Sequence, residues 1–418
     1  MTDSAPSHGF LFDKWLHLYA ERVETMRSSE VRDLLAVTAR PDIIALAGGS
    51  LDIKASNLGR VSDIVADVLT EAGPEALSYG PSEGHLGLRK FLVKFMADEG
   101  VDCDVDDIII TQGGQQALEL IAKIFIDPGD TIVAEAPTYV GALNAFLSYQ
   151  ASIIQVKMDN NGMIMSNMEK TLKDLRDKGI QPKYIYTIPN SQNPGGLSMS
   201  LSRRKKLIKL ARDYQTLIVE DSAYRRIRFE GEDIPSLKQL DSANVVYIGT
   251  FSKILSAGLR VGWVIAPRPI REKLVFAKQA ADLCSSSLAQ RIVEQFFHET
   301  PVNNHINKLI TVCRRRRDTM LDALDEFFPK GTTWTKPIGG FFIWVTLPEY
   351  IDTTAMLAKA IQQKVAYVPG KAFFADGSGR NCMRLNYSFP KEKDIKEGVR
   401  RLAEVIEQEM ELYKRLKV

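Results

Sequence analysis

From about residue 105 to 266 the chain repeats one rhythm: a short apolar run rich in β-branched residues, a turn rich in Gly, Pro or Asn, then an amphipathic stretch of helical length. That alternation predicts an α/β fold. The runs place strands at Ile108 to Thr111, Thr131 to Glu135, Ser152 to Val156, Tyr184 to Ile188, Leu217 to Glu220, Val245 to Ile248 and Val261 to Ile265. Near-continuous apolar character predicts that most are buried on both faces, as in a mostly parallel, seven-stranded sheet. The last strand follows its predecessor after about a dozen residues, close to the minimum for a parallel crossover, so it is expected to run antiparallel.

Outside this core, Val31 to Leu35 predicts a helix ahead of the strand-like Ile43 to Leu46 and the turn Gly48-Gly49. A long helix is expected from about His305 to Phe328, where Ile306, Leu309, Cys313, Met320, Leu324 and Phe327 recur at helical spacing. Gly340 to Val345, Val365 to Val368 and Cys382 to Asn386 predict strands of a smaller α+β domain, closed by a helix from about Glu392 to Leu416. The expected organisation is an N-terminal segment (1–55) that covers substrate, a large domain (56–320) and a small C-terminal domain (321–418).

Composition narrows the partners. With 418 residues, 45% of them hydrophobic and 25% charged, the chain has room for one large core and a second smaller one. Lys and Arg number 54 against 52 Asp and Glu, so there is no broad basic field of the kind nucleic acid or an anionic membrane requires. A small-molecule partner is expected. Cys103, Cys284, Cys313 and Cys382 lack metal-ligand spacing, and a reducing cytoplasm suits them. Met1 to Phe10 lacks the signal-peptide pattern and no apolar run approaches the ~18 residues needed to span a bilayer, so neither export nor membrane insertion is expected.

Ligands of open parallel sheets bind outside the carboxyl ends of the strands. There the sequence places Gly113-Gly114-Gln115-Gln116 after the first strand, Asn190 to Asn193 and Pro194 after the fourth, Asp221 and Tyr224 after the fifth, and Thr250, Ser252 and Lys253 after the sixth. One pocket can collect them all. Lys253 leaves a buried strand and is followed by a second cation, Arg260; desolvation and a neighbouring charge both disfavour its ammonium form and free the amine to attack a carbonyl. The aldehyde of pyridoxal phosphate is the obvious carbonyl.

Each remaining residue carries two readings. The glycine pair before a helix suits a phosphate or a plain tight turn about equally, and Arg260 suits the same phosphate or a surface salt bridge. Asp221 would keep a pyridine nitrogen protonated; taken alone, it reads better as a helix N-cap. Tyr224 and Asn193 could hold a ring hydroxyl, or be a packing tyrosine and an ordinary turn residue. Tyr139 could stack on a flat cofactor or simply fill the core. Arg384 lies within the apolar run Cys382 to Leu385, so a protein carboxylate or a substrate carboxylate must meet it. The run Arg314 to Arg317 reads as a solvated helix surface with a few structural ion pairs, not as a nucleic-acid patch.

Taken together, these segments resemble the fold-type I, class I/II pyridoxal-phosphate-dependent aminotransferases, from about Arg27 to the C-terminus. Thr250-Phe251-Ser252-Lys253 through Gly258-Leu259-Arg260 is similar to the family's Schiff-base segment. The resemblance implies that Lys253 forms the internal aldimine, that Ser252 and Arg260 contact the phosphate, and that Thr250 joins the cofactor site. It further implies Gly114 and Gln115 at the phosphate loop, Tyr139 on the ring, Asn193 and Tyr224 at the ring hydroxyl, and Asp221 at the pyridinium. Arg384 matches the α-carboxylate arginine, with Gly49 and Asn193 also on the substrate side. Tyr79, in Leu77-Ser78-Tyr79-Gly80, is similar to a tyrosine that reaches the neighbouring subunit's phosphate, which implies a homodimer with shared active sites.

The segments Gly340 to Trp344 and Tyr367-Val368-Pro369-Gly370 resemble the subgroup of 2-aminoadipate, kynurenine and broad-specificity aromatic aminotransferases, in which Arg32 would meet a side-chain carboxylate. The chain departs from the family at Gly195, where Thr or Ser is usual, at Ala257, where Pro is usual, and at Ser50 to Lys54, where a Pro-rich stretch is usual. These changes bear on substrate more than on cofactor. The implied activity is ping-pong transfer of an amino group from an L-amino acid to a 2-oxo acid, with Lys253 as the proton-transfer base, assisted by Asp221 and Tyr224. A lyase or decarboxylase of the same fold shares the catalytic set. A pyridoxal-phosphate-binding transcriptional regulator is the reading from another class, although the roughly hundred residues before the first core strand match aminotransferase segments and not a helix-turn-helix.

Overall fold

Strand β1 (Ile44–Ala45) is short, and the main sheet is built from the eight strands that follow it: β2 (Ile108–Thr111), β3 (Thr131–Ala136), β4 (Ser152–Asp159), β5 (Gly162–Met163), β6 (Tyr184–Thr187), β7 (Leu217–Asp221), β8 (Val245–Thr250) and β9 (Gly262–Ile265). The computed structural model describes residues 13–26, 34, 37–52 and 60–416. The strand order is β2-β9-β8-β7-β6-β3-β4-β5. Strands β4, β3, β6, β7 and β8 run parallel, and β9 is antiparallel to both its neighbours, as expected.

The count differs from the expected seven, because β5 adds a two-residue antiparallel pair to the edge strand β4. So short a strand has no periodicity to read. Burial on both faces also fails at β4, where only Val156 is fully buried, because only the tiny β5 covers that edge. The inner strands β6, β8 and β9 behave as expected, with every residue buried, and so does β2 at the other edge.

Helices cover both faces. Gly113–Phe125, Val140–Leu147 and Arg268–Asp282 pack on the face that carries Tyr184, Tyr186, Val219 and Ile248, while Met165–Asp177 and Leu201–Asp213 pack on the face that carries Val133, Ile185 and Ile218. Tyr184 and Tyr186 share one face and Ile185 takes the other, as the two-residue period of a strand dictates.

A second, wholly antiparallel sheet has the order β10-β11-β14-β13, from β10 (Thr333–Trp334), β11 (Phe342–Thr346), β13 (Val368–Pro369) and β14 (Cys382–Asn386). Beside it β12 (Val365–Ala366) pairs in parallel with β1, and the amide of Asn386 donates to the carbonyl of Leu46 at 2.8 Å. The N-terminal turn Gly48-Gly49 is thereby delivered to the end of β14. Of the expected strand Ile43 to Leu46, only the β1 pair forms. The expected helix Val31 to Leu35, and Arg32 with it, lies outside the described residues except for the buried Leu34.

The long helix runs Val302–Phe327, starting just after Pro301 and continuing unbroken through the domain boundary expected at residue 320. The closing helix is Glu392–Leu416. Along the long helix, Arg314 and Arg315 are exposed, as expected of a solvated surface, while Arg316 and Arg317 are buried and make structural ion pairs of the kind also expected, so the solvated surface takes only half of the run. Arg316 pairs with Asp52 at 2.8 Å and donates to the carbonyl of Ser388, while Arg317 pairs with Glu230 and donates to the carbonyl of Pro337. Both reach into the seam between the long helix and the loops beside it. Among the described residues, no helix is long and apolar enough to cross a membrane.

Candidate active site

Lys253 ends a single helical turn, Phe251–Lys253, that leaves β8. The Thr250 hydroxyl fastens the turn by accepting from the Ser252 amide at 3.1 Å, and Phe251 anchors it among Phe91, Phe95, Trp263 and Phe297. With the backbone pinned, the lysine amine is directed into a cavity of about 270 Å³ at the carboxyl ends of the strands, where it donates to the carbonyl of Gly49 at 2.9 Å. Burial lowers its pKa to about 8, and the Arg384 and Arg260 charges push the same way while Asp221 opposes them.

Asp221 is the last residue of β7, and its Oδ2 accepts from the Tyr186 hydroxyl at 2.9 Å. Turns follow it, with no helix for it to cap, so the N-cap reading is removed. Burial raises its carboxyl to about 6 against the hydrogen bonds from Tyr186 and the Ala223 amide. Tyr224 is both a wall of the cavity and a packing tyrosine, its ring meeting Phe341 and Phe342 edge-on at 5.4 and 5.7 Å.

Asn193 is held by the turn that starts at Gln192, whose Oε1 accepts from the Gly195 amide at 2.7 Å and whose Nε2 donates to the carbonyl of Pro137 at 2.8 Å and to Glu135 at 3.1 Å. Gly196 closes this turn at φ +70°, where an added Cβ would stand 2.4 Å from the carbonyl oxygen of Phe342. Tyr139 starts the helix Val140–Leu147, touches the core and the cavity together, and donates to Gln115 Oε1 at 3.3 Å.

Arg384 ends inside the cavity. The guanidinium is buried, lies 4.1 Å over the Phe342 ring and 5.2 Å from that of Phe373, and donates to Asn193 Oδ1 at 3.0 Å and to the carbonyls of Ala47 and Gly48 at 2.8 and 3.1 Å. All these acceptors are neutral, and its Nε has no hydrogen-bond partner among the described residues. Among the described residues no protein carboxylate meets it, so the fork is free to take a carboxylate from a ligand.

The other end of the cavity is a cradle for an anion. The helix Gly113–Phe125 starts there, and Gly113 has φ +72°. A Cβ on Gly113 would lie 2.8 Å from an Arg260 terminal nitrogen, so glycine is what allows the guanidinium to sit against the helix start. Arg260 donates to the carbonyls of Gln112 and Ala257, not to a carboxylate, so the surface salt-bridge reading finds no partner among the described residues. The Thr250 and Ser252 hydroxyls, 2.9 Å apart, complete this end together with Gly114 and Gln115.

Among the described residues, one expected site residue is not brought here. Tyr79 is 86% exposed and lines a separate groove with Pro74, His85, Ser287 and Arg291, and Arg32 lies outside the described residues. Sequence reasoning missed Tyr186, Glu135 and Gln192, which brace the site from behind. Their signal was their place beside a strand end, and spacing alone does not separate that from core packing.

The residues fit pyridoxal phosphate on each of its functional parts. An amine of lowered basicity faces the aldehyde position, a helix start with Arg260 and two hydroxyls suits the phosphate, a carboxylate suits the ring nitrogen, and Tyr139 offers a flat face.

Comparison with known proteins agrees with this geometry. The sequence model of the family described as aminotransferase class I and II matches residues 41–402. The chain is 43% identical to aromatic-amino-acid aminotransferase 1 of Thermococcus litoralis over 394 residues, 94% of each chain. It is similar in structure to the Pyrococcus horikoshii kynurenine aminotransferase in complex with PMP, with a TM-score of 0.90, 41% identity, and coverage of 95% of this chain and 98% of that one. It is likewise similar to LysN, the α-aminoadipate aminotransferase of Thermus thermophilus complexed with N-(5'-phosphopyridoxyl)-L-leucine, with a TM-score of 0.89, 34% identity, and coverage of 95% and 99%.

Proposed function

The chain belongs to the class I and II aminotransferases, which are pyridoxal-phosphate enzymes, and from that footing we propose how its own residues divide the work of transamination. When bound, the cofactor supplies an aldehyde for an amine to condense with and a ring that draws electrons from the substrate's Cα. Lys253 holds the cofactor between turnovers. Once an incoming amino acid displaces it, its Nζ takes the proton from Cα, a task matched by a pKa near 8.

Asp221 keeps a negative charge at the ring-nitrogen position. Asn193 and Tyr224 take the ring hydroxyl and Tyr139 covers the ring face. Ser252, Thr250, Arg260 and the amides of Gly114 and Gln115 hold the phosphate. Arg384 grips the α-carboxylate with its fork, which fixes the bond at Cα that is broken, and Gly49 lies beside it.

We place Tyr79 at the neighbouring subunit's phosphate, in a cytoplasmic homodimer with shared active sites, and Arg32 near the substrate side chain. The donors we place among the aromatic and 2-aminoadipate classes named for the relatives, with a 2-oxo acid as acceptor. The observation that carries this reading is a single cavity holding both an amine of lowered basicity and a buried guanidinium whose described acceptors are all neutral.

Borohydride reduction followed by peptide mapping tests it: the phosphopyridoxyl group should appear on Lys253, and a label on any other lysine refutes the assignment. A panel of amino donors against 2-oxoglutarate, pyruvate and glyoxylate should release 2-oxo acids. Release of ammonia or carbon dioxide in their place would support the lyase or decarboxylase.

A further inference from the structure

Two tyrosines stand two residues apart on β6, fully buried, on one face of the sheet, and edge-on to the same ring: Tyr184 and Tyr186 meet Phe146 at 5.5 and 5.3 Å. Their hydroxyls differ. That of Tyr184 has no hydrogen-bond partner among the described residues, whereas that of Tyr186 donates to Asp221 Oδ2 at 2.9 Å.

Resting on the role given to Asp221 above, we infer that Tyr186 is a positioning residue, whose hydroxyl holds one oxygen of Asp221 and leaves the other for the cofactor's ring nitrogen. Asp221 lines the cavity and Tyr186 does not, so the phenol reaches the cofactor only through the carboxylate. The strand register sets this up. Tyr186 lies opposite Val219 and Thr187 opposite Glu220, which brings the tyrosine of β6 alongside the end of β7. Its ring has no exposed surface and is held against Phe146, so the hydroxyl has one place to point.

The nearby carboxylate on β3, Glu135, is supplied by Thr187, the Ile188 amide and Gln192, which leaves Asp221 as the acceptor for Tyr186. Electrostatics agree. Burial drives the Asp221 carboxyl toward its neutral form, and the Tyr186 hydrogen bond is the largest influence opposing it. A neutral carboxyl does not form an ion pair with a protonated ring nitrogen.

The test is made on the full chain stripped of cofactor and titrated with pyridoxal phosphate or with its 1-deaza analogue, in which carbon replaces the ring nitrogen. Tyr186→Phe should weaken pyridoxal phosphate by about ten- to a hundredfold, as expected for loss of a hydrogen bond to a charged group, and leave the deaza analogue unchanged. Tyr184→Phe, which removes the unpartnered hydroxyl from the same face, should change neither. Equal weakening of both ligands by Tyr186→Phe, or none, overturns the inference. If Asp221→Ala also weakens both alike, the role given to Asp221 fails. If Asp221→Ala shows the nitrogen-dependent loss and Tyr186→Phe does not, only the role of Tyr186 fails.

Discussion

Replacing Arg384 by methionine keeps the stem and removes the fork. In the native chain the guanidinium is fixed from three sides, stacked on Phe342 and bonded to Asn193 and to the Ala47 and Gly48 carbonyls, so it is already oriented before substrate arrives. A carboxylate entering the cavity meets a preorganised cation, and charge-assisted hydrogen bonds of this kind contribute about 1.5 to 3 kcal/mol each. Two of them amount to about 3 to 6 kcal/mol, or about two to four decades in kcat/KM at roughly 1.4 kcal/mol per decade.

A second effect follows, because Arg384 is the largest charge depressing the basicity of Lys253. Its removal leaves the amine more protonated near neutral pH and slows every donor. The two effects separate when an L-amino acid is compared with the amine made by removing its carboxylate. Single-turnover rates read from the cofactor's absorbance should fall by the full two to four decades for the amino acid, and far less for the amine. Arg384→Lys restores the charge without the fork, so it should recover the amine's rate more fully than the amino acid's. Equal losses for the two donors would refute the assignment of Arg384 to the α-carboxylate.

The rate at which the cofactor-free chain captures pyridoxal phosphate should rise with pH about a midpoint near 8, since only the neutral Lys253 amine attacks; a midpoint near the ordinary lysine value of 10.5 would show that the cavity does not act on it. The sign for stability follows from the same shift. Burying a charged Lys253 costs stability in full below about pH 8, so Lys253→Met should raise the melting temperature of the cofactor-free chain at pH 7, and the gain should fade as pH climbs through 8 toward 10.5. Arg316→Met removes the buried ion pair to Asp52 and the donation to the Ser388 carbonyl and should lower unfolding stability by about 3 kcal/mol in denaturant titrations, whereas Arg315→Met on the exposed face should stay within about 0.5 kcal/mol. Gly196→Ala puts a Cβ against the Phe342 carbonyl at a positive φ, and should cost about 1 to 3 kcal/mol by the same titration while weakening the hold on the ring hydroxyl through Asn193.

The strands were legible because β3, β6, β7 and β8 run parallel inside the sheet, where burial on both faces writes an unbroken apolar run into the chain. The site was legible for a related reason, since polar residues that follow such runs have nowhere to go but the strand ends. What stayed hidden depends on who sits next to whom. Nothing in the spacing distinguishes Tyr184 from Tyr186, and only the pairing of β6 with β7 gives one of them Asp221. Arg314 to Arg317 read as one polar stretch, yet the helix turns two of them outward and two into a seam where Asp52 and Glu230 wait. The N-cap reading of Asp221 was sound local chemistry, overruled only because the chain turns after it and does not coil.

Among the described residues, the charges lining the cavity are three cations, Lys253, Arg260 and Arg384, against one carboxylate, Asp221. Like charges gathered in a desolvated space repel: burial first, and then the Arg384 and Arg260 charges, depress the basicity of Lys253, while burial depresses that of Arg384. The fold therefore holds its active site in a state that lacks negative charge. A phosphate dianion at the helix start and a carboxylate at Arg384 supply it at the two ends, while condensation with an aldehyde removes the charge of Lys253 in the middle. Cofactor and substrate thus relieve a strain that the empty protein carries. By linkage, the chain should be more stable with its cofactor than without it, by an amount that grows with the logarithm of ligand concentration. The same imbalance predicts selectivity by charge: a donor without a carboxylate would leave Arg384 buried and without an anion, and the cavity should then discriminate against it by the cost of that unpaired cation.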